Sequence, residues 1–428
     1  MSELHHLLTF PKRPINEKSY VVPLTEFLKA GIPATYTLEQ IIAFEKSNSN
    51  NNTNEKEESD EKEKNEEIEN DDDNNSNTTP LHILARSLPK DLTSEETDIV
   101  LKLMNVLFEY GAGWNFLDYE NKTVGDLLLL NGQSKDGPLY QRLVEAGVGA
   151  ELLLRKIDDN NIQFLDDYDI EKEEGHCLVD HAEEIANDNT SDNSNENTDN
   201  DATAGDQMTY LNTELEYTKD SLVTKNNRDG VMMEWEDQIM KLAADTLFSS
   251  PALEANNDAI VLNIGFGMGI IDTYIQTKAP KLHYICEAHP DVLAKMRKDG
   301  WYDKPNVVIL EGRWQDTLNR LLDQGDVFFD GIYYDTFSEH YQDMLDLYDV
   351  IVGLIKPEGI FSFFNGLGAD REICYDVYKK IVEIDVATYG MKCEFTTVDI
   401  TKILPNWQNV KRSYYNCNYY YHPCISFI

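Results

Sequence analysis

The sequence predicts a doubly wound α/β domain over its C-terminal half, preceded by a smaller all-helical part. Two observations carry this. From about residue 208 onward, short apolar runs alternate with helix-length amphipathic stretches, the pattern of a largely parallel sheet with helices on both faces. The first of those runs ends in a glycine loop, Gly265-Phe266-Gly267-Met268-Gly269, where a buried parallel strand turns towards a ligand.

Taken in order, residues 1–46 read as an N-terminal helical segment. Residues 47–78 are low-complexity and nearly devoid of apolar side chains. Burial there cannot offset the entropy of ordering, so a disordered acidic insertion is expected. Residues 79–155 return to helix-length apolar patterns. Within them Thr79-Pro80-Leu81-His82-Ile83-Leu84-Ala85 resembles the ankyrin signature, with one residue inserted before the alanine. Leu107 to Asn115 resembles the glycine-stopped end of such a repeat, and Asn121 to Leu127 the start of the next. An insertion near 86–96 is needed to fit the spacing. Residues 156–207 form an acidic linker, and 208–428 the α/β domain.

In that domain strands are expected at 258–264, 281–287, 306–311, 327–335 and 359–365. Helices are expected at 289–299, 314–323, 341–355 and 370–384. The tail 391–428 carries two β-rich runs that could close a hairpin.

The formal net charge is −41, from 37 Lys and Arg against 78 Asp and Glu. The two acidic segments hold more than half of that excess. Phosphate binding needs a basic surface, so direct nucleic-acid and anionic-membrane partners are excluded and a basic protein partner is favoured. Cys177, Cys286, Cys374, Cys393, Cys417 and Cys424 form no CxxC pair and no zinc spacing, and free intracellular thiols are expected. His422-Pro423-Cys424 lacks companion ligands, so no metal is expected. No apolar run approaches the ~18 residues of a membrane span, and the chain reads as cytoplasmic or nuclear.

The glycine loop alone fits many nucleotide folds. Twenty residues after Gly267, Glu287 ends the second strand, where a carboxylate can accept from both hydroxyls of a ribose. That pairing implies an adenosine-bearing ligand and leaves NAD and S-adenosylmethionine both open. Three further motifs bear on the choice: Trp235-Glu236 ahead of the first strand, Gly312-Arg313-Trp314-Gln315 after the third, and Tyr333-Tyr334-Asp335-Thr336 ending the fourth.

With the glycine loop, these motifs over 208–428 resemble guanidinoacetate N-methyltransferase and its larger relatives, the type IV protein arginine N-methyltransferases (arginine N-methyltransferase 2 family). The resemblance implies a Rossmann-like class I fold, S-adenosylmethionine as cofactor, and methylation of the internal δ nitrogen of arginine in a protein, ribosomal proteins being the substrate class. It implies that Phe266, Gly267, Met268, Gly269, Ile270 and Ile271 line the cofactor loop. Glu287 would hold the ribose, with Ala288 and His289 beside the adenine and Trp314 and Gln315 closing over it. Tyr210 and Met240 would contact the methionine end. Asp335 would meet cofactor and substrate, and Met232 and Glu236 would face the guanidine.

The chemistry agrees with that assignment. Guanidinium has a pKa above about 12 and a delocalised lone pair. Two carboxylates can orient it, draw charge from the reacting nitrogen and accept its proton. Glu236 and Asp335 are the expected pair, Asp335 the base because it ends a strand opposite the glycine loop, with Glu234 in reserve. Gln315 replaces a glutamate of the guanidinoacetate enzyme, and the stretch after Asp335 lacks that enzyme's proline-containing segment. Small-substrate specificity therefore does not transfer. The competing readings are a methyltransferase of small guanidino acids, an inactive ankyrin-type interaction protein that binds S-adenosylmethionine, and, more distantly, an NAD-dependent dehydrogenase.

Overall fold

A computed structural model describes residues 3–51, 76–158, 206–250, 253, 258–403, 406–408, 410–411 and 413–428. The chain forms two compact units. One comprises Met1–Gly149, Asn365–Leu404 and Ser413–Pro423; the other comprises Ala150–Phe364, Pro405–Arg412 and Cys424–Ile428.

The chain opens with helices α1 (Glu3–Leu7), α2 (Val22–Lys29) and α3 (Leu38–Asn51). Of the segment expected to be disordered at 47–78, the outer residues are built into the structure. Helix α3 runs to Asn51, the Ser76 hydroxyl donates to Glu39 at 3.0 Å, and the Thr78 carbonyl accepts from the Leu38 N–H at 3.0 Å. The rest of it lies outside the described residues, as do most of 156–207 and Cys177.

Two helix pairs follow: α4 (Pro80–Arg86) with α5 (Ser94–Glu109), and α6 (Val124–Leu130) with α7 (Pro138–Asp158). Their starts are written in the sequence. His82 lies three residues past Thr79, takes the Thr79 N–H on its Nδ1 at 3.3 Å, and meets the Phe116 carbonyl with its Nε2 at 3.1 Å. Thr93 with Glu96, and Thr123 with Asp126, form reciprocal capping boxes that satisfy otherwise orphaned N–H groups.

In the second unit α8 (Gln207–Leu211) is followed by a small antiparallel sheet, β1 (Leu215–Tyr217), β2 (Ser221–Thr224) and β3 (Gly230–Met233). A 3₁₀ turn at Glu234–Glu236 leads into α9 (Asp237–Leu247). The main alternation is then β4 (Ile260–Ile264), α10 (Ile270–Thr277), β5 (Leu282–Glu287), α11 (Pro290–Lys298), β6 (Val307–Glu311), α12 (Trp314–Gln324), β7 (Phe329–Tyr334), α13 (Tyr341–Leu354) and β8 (Ile355–Phe363). Helix α14 (Glu372–Thr388) and strands β9 (Met391–Asp399) and β10 (Tyr419–Phe427) complete the chain.

Seven strands form one sheet in the order β6-β5-β4-β7-β8-β10-β9. Strands β4 to β8 pair in parallel, and β10 runs antiparallel to β8. The order reverses direction on either side of β4, so the carboxyl ends of β4, β5 and β7 open onto the crevice where doubly wound sheets bind ligands. This is the Rossmann-like arrangement expected from the alternation. Strand β8 starts four residues earlier than expected, with a register irregularity opposite Phe329 and Gly331. The sheet β1–β3 and helices α9 and α10 are additions to the sequence reading.

Within the first unit, α14 is enclosed. Ile373 to Val377 are all buried in succession, so the helix is covered on more than one face. A Cβ added at Gly125 of α6 would sit 3.1 Å from Ile373, and one at Gly147 of α7 would sit 2.5 Å from the Val377 side chain. Asp376 is the polar centre of this packing. It accepts from the Tyr140 hydroxyl at 2.7 Å, the Tyr421 hydroxyl at 2.6 Å and Lys135 Nζ at 2.9 Å.

Candidate functional site

The second unit holds an open cavity of about 590 Å³ at the carboxyl ends of the central strands. Its floor is the glycine loop. Gly265 has φ +93, and a Cβ there would lie 1.9 Å from the Asp335 carbonyl oxygen, so the β4 and β7 ends approach closer than any side chain permits. At Gly267, φ +54, a Cβ would meet the Met232 sulfur at 2.9 Å. The loop is held from outside by the small sheet. The Tyr217 hydroxyl donates to the Gly267 carbonyl at 3.0 Å, and the Met268 N–H points at the Met232 sulfur at 3.2 Å.

Glu287 joins the loop to the end of β5. One of its oxygens accepts the Phe266 N–H at 2.9 Å; the other accepts from Ala288 at 2.7 Å and His289 at 2.6 Å. Burial raises the proton affinity of this carboxyl, and the three N–H donors oppose that. A carboxylate fixed in this way at a strand end has lone pairs left for a ribose diol.

Asp335 follows directly on β7, placed by its N–H bond to the Ile264 carbonyl at 2.9 Å. Its Oδ2 is sealed from solvent and has no hydrogen-bond partner. Burial first, and then the charge of Asp272, push this carboxyl well above the ordinary carboxylate range. Asp272 itself is buried and receives the Asn263 amide on both oxygens, at 3.0 and 2.9 Å, while the same amide donates to the Gly265 carbonyl.

Of the residues singled out from the sequence, Tyr210, Met232, Gly267, Glu287, Ala288, Trp314 and Asp335 line the cavity together. Phe266, Met268, Gly269, Ile270 and Ile271 are not among the lining residues: Phe266 and Ile271 are buried in the hydrophobic cluster that contains Met232, Met268 and Ile270 pack against it, and the Phe266 ring would lie 2.4 Å from a Cβ on Gly269. Met240 is buried beneath, receiving the Tyr333 hydroxyl on its sulfur at 3.4 Å. His289 caps α11, accepting the Asp291 N–H at 3.1 Å, and its Nε2 faces the Tyr210 and Thr213 carbonyls at 3.2 and 3.0 Å. Gln315 is not among the lining residues; its Nε2 donates to Glu339 at 3.2 Å.

Glu236 is not among the lining residues. It is buried in the turn before α9, with Oε1 accepting the Met233 N–H at 3.2 Å. The carboxylates that line the cavity are Glu287, Asp335 and Glu339. Glu339 and Gln207 carry no signal in the sequence, and Arg313 enters only as part of the Gly312–Gln315 motif, with no role assigned to it. Their only hint is proximity to Asp335, α8 and Trp314, which the fold alone converts into shared space.

A glycine cradle, a buried acid at the β5 end with lone pairs to spare, and a buried carboxylate with one unpartnered oxygen beside the glycine loop fit the adenosyl and sulfonium parts of S-adenosylmethionine. Residues 206–426 match the family model described as guanidinoacetate N-methyltransferase. The chain is a methyltransferase that uses S-adenosylmethionine. It belongs to the protein arginine N-methyltransferase 2 family. It is 63% identical to protein arginine N-methyltransferase 2 of Candida glabrata, and 64% identical to that of Saccharomyces cerevisiae, in each case over all of both chains. The solved O-methyltransferase TomG from Streptomyces achromogenes, in complex with SAM, is 14% identical with TM-score 0.32 over 46% of this chain and 81% of its own, too loose a match to add to the assignment.

Proposed function

We propose that this chain transfers the methyl group of S-adenosylmethionine to the internal δ nitrogen of arginine in a basic protein, ribosomal proteins being the substrate class. Supporting the arginine reading are the family relatives, whose names state protein arginine methylation. The observation that carries the chemistry is Asp335. Its buried Oδ2 lacks a partner and its proton affinity is raised. A guanidinium N–H can fill that vacancy, and a carboxyl so tuned can take the proton away.

In the transfer the nitrogen–methyl bond forms as the sulfur–methyl bond breaks. The sulfur keeps the electron pair, and the guanidinium proton passes to Asp335. Alignment and exclusion of water are the chain's main contributions to such an in-line displacement. Glu236, buried in the turn before α9, is retained as the second carboxylate of the pair. The fit of an open cavity to a peptide side chain and the net charge of −41 both suit a basic protein. On the same reading the chain acts in the cytoplasm and nucleus. Helix pairs α4–α5 and α6–α7 are proposed as ankyrin-like repeats, supported by the matching Thr79 and Thr123 starts and by Gly111, φ +83, closing α5.

Incubation with labelled S-adenosylmethionine and a ribosomal protein extract, followed by acid hydrolysis, tests the proposal. It expects δ-N-methylarginine from a protein band. Label on terminal nitrogens would overturn the regiochemistry. Label on small guanidino acids alone would move the activity to the metabolic substrate class.

A further inference from the structure

One carboxylate organises a whole end of the cavity. Glu339 accepts from Trp314 Nε1 at 2.9 and 3.1 Å, from Gln315 Nε2 at 3.2 Å and from the Thr336 hydroxyl at 2.6 Å. It also accepts from Gln207 Nε2 and the Tyr334 hydroxyl. These donors come from α8, the start of α12, the end of β7 and the loop that follows. Ser338, in left-handed backbone at φ +62, turns that loop so that Glu339 faces back into the cavity.

Hydrogen-bonding capacity then fixes the polarity of the neighbouring amides. A carboxylate accepts only. Gln207 and Gln315 must both present nitrogen to it, and both amide oxygens are therefore turned away. Both oxygens are sealed from solvent with no partner, and Gln207 lines the cavity. Buried acceptors in this state await a donor.

The layout of the cavity identifies that donor. Gly265 and Gly267 meet Asp335 and Met232 at the ends of β4 and β7, and in the sheet order the end of β5, with Glu287, separates these from the end of β6, which leads to Trp314. The base of an adenosyl cofactor extends to the end opposite its sulfonium. The exocyclic amine of adenine is the donor on the ring itself.

We propose that Glu339 is a positioning residue for adenine. It holds the Gln207 amide so that its oxygen, within a rim of acceptors, reads the exocyclic amine and rejects a 6-oxo ring. This rests on the cofactor pocket described above and deepens it.

The test is calorimetric titration of the full chain with S-adenosylhomocysteine and with S-inosylhomocysteine, whose ring carries a carbonyl in place of the amine. The wild-type chain is expected to prefer the adenosyl compound by about tenfold or more, since a buried acceptor left facing a carbonyl loses its bond and keeps its desolvation cost. Gln207→Leu should lower adenosyl affinity about tenfold and leave inosyl affinity unchanged. Glu339→Gln, which frees both amides to flip, should bring the two affinities within about threefold. If Glu339→Gln does not fold, Gln207→Leu decides, because a merely structural loss would weaken both ligands equally. Equal affinities in the wild type, or equal weakening in Gln207→Leu, would overturn the proposal. Binding of neither ligand would overturn the cofactor pocket as well.

Discussion

Asp335 is the residue where burial and chemistry are most tightly joined. Its carboxyl is raised in the fold because the charged form is desolvated and faces Asp272. A base with raised affinity is protonated, and so idle, on the acid side of that value. Thus kcat/KM should fall as pH drops through a point above the ordinary aspartate range. Asp335→Asn should lower kcat/KM by about 10²-fold or more, with the acid limb of the pH profile abolished. Stability should move the other way. A folded-state pKa above the unfolded one gives a contribution that is complete below the unfolded pKa and lost as pH rises through the folded pKa. Asparagine has no such loss, so the melting temperature of Asp335→Asn should exceed that of the wild type by an amount that grows from about pH 4 to about pH 7, reaching about 2 °C or more. A gap independent of pH, by scanning calorimetry, would count against a raised Asp335. At this scale the sequence shows Asp335 and Glu287, because each ends an apolar strand and strand ends meet at the crevice. It does not show Glu339, which sits in a polar stretch without periodicity and acquires its role only when α8 and the start of α12 converge on the loop that carries it.

The elements divide by length. Each strand from β4 to β7 is five or six residues of nearly continuous apolar character, so hydrophobic runs and glycine stops mark it plainly. The strands β1–β3 are three or four residues long, too short for a period of two to declare itself, and they hold their places through Tyr217 and Met232 on the glycine loop. Helix α14 is legible as a helix, but its surroundings are not. Nothing local says that Asp376 will be buried under Tyr140 and Lys135, more than 230 residues earlier in the chain. That cluster yields a graded prediction. Tyr140→Phe removes one hydrogen bond to a carboxylate that keeps Tyr421 and Lys135, and should cost about 1 kcal/mol. Asp376→Ala strips the acceptor from two buried tyrosines and an acidic partner from Lys135, and should cost about 3 kcal/mol or more. Urea unfolding of both variants checks the order. Equal losses would mean that packing of the rings, and not the carboxylate, holds this element.

Across the whole molecule, composition and space partition the chain differently. The acidic segments suggest a boundary near residue 207, between the ankyrin-like part and the methyltransferase domain. The compact unit that contains the N-terminal helices also contains Asn365–Leu404, with α14 and β9. A shift in composition reports where a chain cannot fold, and says nothing of which later helix an earlier one will cover. The consequence concerns a fragment spanning residues 206–428. It would keep the glycine loop, Glu287 and Asp335, but would strip from α14 the backbones of α6 and α7 that lie on Ile373 and Val377. Arg371 would lose the Asn115 carbonyl it holds at 3.0 Å, and Asp376 would lose Tyr140 and Lys135. Newly exposed apolar side chains along Ile373 to Val386 would form a patch of the kind that drives association. The fragment should therefore self-associate on size-exclusion chromatography and unfold at lower urea than the intact chain. Supplying residues 1–158 as a separate chain should restore a defined, soluble species, because the lost contacts are packing contacts that need no peptide link. A monomeric fragment with the urea midpoint of the full chain would show that the N-terminal helices contribute nothing to the fold of the catalytic half.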